Sequence, residues 1–366
     1  MLAAGALALT GCGAFFTKET SSGGGGGGGS TSNLVYTMNS VSSTVSGFSV
    51  GTGTLTTVPN MPYGIGFVPQ AAVVTIPNTY LYVTNQGAIY AYAIGSDGSL
   101  PIPVPTNTGQ ALANEVSLDV SPDGKWLFGL NGTTSQLDIF SINASTGGLT
   151  LSSTVSYTVT GGLWRPKMVK VSATGTYVFA ALGTGGDVVF TFNTNTGTGA
   201  LVQTINPISN QTSDNALAVD STVSHLYIAR TGVGLGLAVY SIGAAGLPTA
   251  LSGSPFAAGG QPLGVVLDST GTHVYVANGS DATISGYSLS NGVPTALSGS
   301  PYASGANVQS LTLDRSGTYL LAAAPGGSAD LTMYSFDATT LGKLNQVATA
   351  ATGTDPAGAF LVVASH

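Results

Sequence analysis

Hydrolysis of an ester needs a base to activate water and a cation to hold the developing oxyanion. The sequence offers few groups for either task. Glu115 and Asp214 are candidate bases, and Arg165 is the candidate oxyanion cation, with Arg230 as its alternative. The candidate ligand contacts are Tyr63, Asn114, Lys167, Arg230, Gln261, Asn307, Gln309 and Asp355. The chain has only eight Lys and Arg, so Arg165, Lys167 and Arg230 at comparable points of its repeats are suggestive. The competing explanation is that exposed loops collect charge without chemistry. His225 and His273 precede strands, at turns on the opposite side, and His366 is the last residue, so all three read as solvated turn or tail.

Other chemistries lack their signatures. No Cys/His cluster has zinc spacing, and no acidic loop has the spacing that holds calcium. The glycine-rich stretch Gly232 to Gly236 opens no helix, which argues against a nucleotide site. A serine nucleophile elbow requires a strand-turn-helix, and none is present. The sequence thus implies no cofactor and no metal.

Charged residues are 6% of the chain against about 25% in an ordinary soluble domain. The net charge is −7. A cation-poor, acidic surface argues against nucleic acid, which needs clustered Lys and Arg, and against electrostatic attachment to anionic lipid. The remaining partner classes are a peptide, glycan or protein, or a small lactone, bound by a monomer.

The first twelve residues have their own logic. Leu2 to Leu9 is an apolar run too short to span a bilayer, and Leu9-Thr10-Gly11-Cys12 follows it. The tetrapeptide resembles the bacterial lipobox, which makes residues 1–12 a lipoprotein signal with Cys12 as the lipidated position. Cys12 is the single cysteine, so no disulfide within the chain is possible. Residues 13–33, with seven consecutive glycines, read as a flexible tether reaching about 25 Å. The expected location is the cell envelope, held by lipid on the outer-membrane or periplasmic side.

The elements that must position the candidates repeat. Phe48, Tyr92, Phe140, Phe190, Tyr240, Tyr287 and Tyr334 recur at intervals of 44 to 50 residues, each with an apolar residue two places on. Each unit carries an opening segment, a Gly turn, a strand, the aromatic strand and a short outer strand. That is the length of one four-stranded propeller blade. Pro248–Pro255 and Pro294–Pro301 are the same eight letters, PTALSGSP, as expected of duplicated blades. The first unit, starting at Leu34, lacks an opening strand, while Asp355 to Val363 reads as one with no blade after it. The expected fold is all-β: residues 34–366 form a seven-bladed β-propeller of four-stranded antiparallel blades, closed by the C-terminal strand. Segments opening the blades then lie around one channel mouth. They include Met61-Pro62-Tyr63-Gly64, Arg165-Pro166-Lys167, Gln261-Pro262-Leu263-Gly264 and Asp355-Pro356-Ala357-Gly358. The anchor aromatics belong to blade packing.

Leu81-Tyr82-Val83-Thr84-Asn85 and Val274-Tyr275-Val276-Ala277-Asn278 resemble the signature of the YVTN repeat. The body, about residues 34–366, resembles the seven-bladed β-propeller lactonase family, relatives of 6-phosphogluconolactonase. The resemblance implies the same ring and, if activity is kept, hydrolysis of a sugar lactone. That family opens a blade with a Gly-Pro-Arg-His-like segment, and no blade-opening segment here contains a histidine. The leading expectation is therefore a binding or scaffold module acting through one channel mouth. The alternatives are a lactonase-type hydrolase and a structural surface or matrix protein.

Overall fold

The structure, a computed structural model, describes residues 32–100, 103–104, 114–159, 165–326, 329–352 and 359–366. Seven small antiparallel sheets form a ring. Their inner strands are Ala359–Ala364 (blade 1), Ala72–Val74 (blade 2), Glu115–Val120 (blade 3), Met168–Val171 (blade 4), Thr212–Val219 (blade 5), Pro262–Leu267 (blade 6) and Ser310–Leu313 (blade 7). Each blade then steps outward strand by strand. The only helical element among the described residues is one three-residue 3-10 turn, Ala244–Gly246. Short added strands, Tyr63–Gly64 and Tyr302–Ala303, pair with the third strands of blades 1 and 6.

Burial explains the composition of each strand. Second strands such as Tyr80–Thr84 and His273–Asn278 are packed on both faces by neighbouring blades, so they are nearly continuous apolar runs. An outer strand such as Leu149–Ser156 alternates instead, with exposed residues at every second place through its middle. All seven anchor aromatics lie on third strands and are buried.

The motif tyrosines rivet blade to blade. Tyr82 Oη donates to the Gly147 carbonyl at 2.8 Å and Tyr275 Oη to the Gly342 carbonyl at 2.7 Å, each in the next blade's outer turn. Tyr36 does the same to Gly98 at 2.8 Å, and in blade 3 Trp126 Nε1 reaches the Thr194 carbonyl at 3.0 Å. A buried hydroxyl needs such a partner. The twin octapeptides repeat a contact too: Ser254 Oγ accepts from Val239 N–H at 2.8 Å, and Ser300 Oγ from Gly286 N–H at 2.9 Å.

The ring closes at the C-terminal strand. Ala359–Ala364 pairs antiparallel with Leu34–Asn39, from Val35↔Ala364 to Asn39↔Ala359. The Asn78 side chain then clamps the end of the chain, accepting from His366 N–H at 2.7 Å and donating to the His366 carbonyl at 2.8 Å. On the other side of the seam, Asn33 donates to Asp314 at 2.6 Å and accepts from Arg315 N–H at 3.1 Å.

Candidate functional site

The inner strands enclose a central channel of about 370 Å³. Inner strands expose one edge, and side chains of adjacent blades cover part of it. Ser117 Oγ accepts from Val169 N–H at 3.0 Å, Asp119 from Val171 N–H at 2.8 Å, and Ser310 Oγ from Val362 N–H at 3.3 Å. The wall is polar at its two ends and apolar between. Where the inner strands begin, here called the upper end, it carries Lys167, Gln70, Asn215 and Gln309. Val116, Met168, Leu263 and Leu361 contribute to the apolar surface. At the lower end stand Asp119, Lys170 and His366.

Asn215 is held in place: its amide donates to the Pro262 carbonyl at 3.0 Å and to Thr231 Oγ1 at 3.1 Å. Gln70 Oε1 is buried and accepts no hydrogen bond. At the lower end Lys170 Nζ lies 3.2 Å from Asp119 Oδ2. His366 Nε2 lies 3.0 Å from the Val74 carbonyl. Burial, then the Lys170 charge, hold the His366 imidazole below its ordinary value, and Asp119 and the Val74 carbonyl only partly offset this.

Two carboxyl groups on the upper side are enclosed. Glu115 is 0% exposed, and neither of its oxygens accepts a hydrogen bond. It lies over Gly129, where a Cβ would come within 2.6 Å of Glu115 Cδ. Burial, and next the Asp138 carboxylate, raise its pKa well above the usual carboxylate range. Asp187 is enclosed in the same way beside Asp214, and burial and that carboxylate raise it too, against the pull of Arg230. Asp214 itself is gripped by Arg230, with Nε to Oδ1 at 2.6 Å and Nη2 to Oδ2 at 2.8 Å.

Glu115, Asp214 and Arg165 therefore sit in different surroundings and are not brought together. Glu115 is enclosed within blade 3, Asp214 is paired with buried Arg230, and Arg165 is exposed and does not line the channel. Of the expected ligand contacts, Lys167 and Gln309 line the channel. Gln261 and Asn307 are exposed on the upper rim, both with positive φ (58° and 59°). Asn114 is half-buried, with its backbone carbonyl held by Gly132 N–H at 2.7 Å. Tyr63 is a correction: it packs edge-on against Tyr92, ring centres 5.8 Å apart. The segment at Met61 adds a strand to blade 1, and blade 2's inner strand starts only at Ala72. Gln70, just before that strand, takes the place expected of Tyr63. Asp355 and Cys12 lie outside the described residues.

His366 is a second correction. The residue as a whole is exposed, but it is no free tail, because the Asn78 clamp holds it at the channel wall. His225 and His273 sit at the turns before second strands, but they are not solvated: each side chain is largely buried, with Nδ1 3.0 Å from Asp220 or Asp268. Asp119, Lys170, Asn215 and Gln70 were not singled out in the sequence. Their signal was available: each belongs to an inner strand or the residues just before one.

Residues 28–158 and 101–213, together just over half the chain, match the family described as lactonase, 7-bladed beta-propeller. The chain belongs to that family. No curated protein sequence matches this lactonase-family propeller. Among solved structures it is similar to two described as candidate 6-phosphogluconolactonases. That of Bacteroides fragilis is 15% identical, with a TM-score of 0.72 over 92% of this chain and 98% of that one. That of Bacteroides uniformis is 15% identical, with a TM-score of 0.73 over 91% and 99%. The periplasmic gluconolactonase of Pseudomonas aeruginosa is 14% identical, with a TM-score of 0.70 over 92% and 99%. At these identities the likeness concerns the fold. No helix among the described residues is long and apolar enough to cross a membrane.

Proposed function

We propose that this lactonase-family propeller is a hydrolase of a small sugar lactone bound in its central channel. The observation that carries the reading is the channel itself. Its volume, about 370 Å³, lies in the range of small-molecule sites. Its upper end carries the Lys167 ammonium and the Gln70, Asn215 and Gln309 amides, and apolar surface lies below them. A sugar lactone offers matching features: hydroxyl or phosphate oxygens of its exocyclic tail for the ammonium and the amides, and a C–H face of the ring for the apolar wall. Family membership favours this reading over a purely binding or scaffold role. We further propose that Cys12 carries a lipid and holds the propeller in the cell envelope, as the lipobox-like tetrapeptide suggests. The periplasmic location named for the similar Pseudomonas aeruginosa protein is consistent with it.

The test is acid release, followed by pH-stat, from a panel of δ- and γ-lactones of hexonic acids, with and without a 6-phosphate. Expected is saturable turnover above spontaneous hydrolysis for at least one lactone, with KM raised about tenfold or more in Lys167→Met. No turnover above the blank for any of them sinks the hydrolase reading. Saturable binding without turnover would restore the binding-module alternative.

A further inference from the structure

The lower end of the channel joins three groups that the upper-end reading does not use. His366, Lys170 and Asp119 come from three different blades and line the same cavity. Resting on the hydrolase reading above, we propose that His366 is the general base of the hydrolysis and Lys170 its oxyanion cation, so that the scissile ester sits at the lower end of the channel.

Hydrogen bonding fixes the tautomer. The Val74 carbonyl, 3.0 Å from His366 Nε2, can only accept, so Nε2 carries the proton. Nδ1 is then a bare lone pair, and it has no hydrogen-bond partner among the described residues. Backbone contacts orient the ring from behind, since the Asn78 clamp grips the N–H and carbonyl of His366 and leaves the side chain free to act. Lys170 is oriented in turn. Asp119 is anchored by Val171 N–H at 2.8 Å and holds the ammonium at 3.2 Å, leaving other N–H bonds of Lys170 for a ligand. The charged side chains facing His366 are Lys170 and Asp119; burial first, and then Lys170 outweighing Asp119, favour the neutral ring. A neutral imidazole beside an ammonium is the pair that ester hydrolysis asks for.

The step balances without a further reactant. A water oxygen attacks the lactone carbonyl carbon while its proton passes to His366 Nδ1. The carbonyl electron pair moves onto oxygen, facing Lys170. Collapse of the tetrahedral intermediate breaks the ring C–O bond, and the leaving alkoxide takes the proton back from Nδ1. The product is the open hydroxy acid, and His366 is again neutral.

The experiment compares the full chain with His366→Gln, His366→Ala and Lys170→Met on whichever lactone the wild type turns over. Glutamine keeps an N–H for the Val74 carbonyl but has no basic nitrogen. Expected is a fall in kcat of about 100-fold or more in His366→Gln, with KM within about threefold and an unchanged melting temperature. In the wild type kcat should rise with pH through a value below that of ordinary imidazole, about 6.5, and then level off. That limb should vanish in the variant, and added imidazole should restore turnover to His366→Ala. Lys170→Met should lose kcat by a similar factor. If His366→Gln keeps its kcat, or loses it with no change in the pH limb and no imidazole rescue, the proposal is overturned while the lactonase reading stands. If the wild type turns over no lactone, the reading beneath it has failed instead.

Discussion

Raising the pH from 5 towards 8 should destabilise this protein. Glu115 and Asp187 are enclosed carboxyl groups whose oxygens accept no hydrogen bond. Each faces a second carboxylate, Asp138 or Asp214, and burial and that neighbour raise both pKa values. In the unfolded chain such groups titrate near 4. Between that value and the raised one, the folded state holds one proton more per group. Stability then falls by about 1.4 kcal/mol per pH unit for each group, or roughly 2.7 kcal/mol per unit where both titrate together. The stabilisation is fully present below the unfolded value and is lost as pH rises through the folded one. Asp97, Asp268 and Asp337 have lowered values and shape only the limb below about pH 4. His366, also lowered, acts in the opposite sense up to about 6.5, so the difference between variant and wild type is the cleaner measure. Urea unfolding at half-unit steps, on wild type, Glu115→Gln, Asp187→Asn and the double variant, measures it. The wild type should lose stability relative to the double variant as pH rises, with each single variant removing part of the slope. Parallel curves for wild type and double variant would refute the reasoning.

Four further perturbations follow. Gly129→Ala places a Cβ 2.6 Å from Glu115 Cδ and should cost about 1–3 kcal/mol by chemical denaturation; adding Glu115→Ala should recover part of that loss rather than add to it. Asn78→Ala removes both hydrogen bonds to the His366 backbone and should lower stability by about 1–2 kcal/mol, read as a drop in melting temperature. Truncation after Thr352, which removes the strand paired with Leu34–Asn39, should leave no cooperative monomeric melt. Cys12→Ser should abolish palmitate labelling and move the protein from the membrane to the soluble fraction, whereas unchanged fractionation would dismiss the anchor.

The ring was legible in the sequence because a propeller writes the same local pattern seven times. The aromatic anchors from Phe48 to Tyr334 mark third strands, and the unmatched segments at Leu34 and Phe360 mark the seam, since each blade must bury two faces and no strand edge can be left at the join. Register was legible wherever the repeat was regular, and it failed at Tyr63, where an extra short strand delays blade 2. The site was far less legible. Charge alone marks Glu115, Asp214 and Arg230, but only packing shows that Gly129 makes room for one and that the other two neutralise each other. His366 looked like a tail because nothing local constrains a last residue. A side chain 288 positions away holds it at the channel wall. Local periodicity determines strands and their order. Which side chains share a cavity depends on contacts between blades far apart in sequence, and those exist only once the ring has closed.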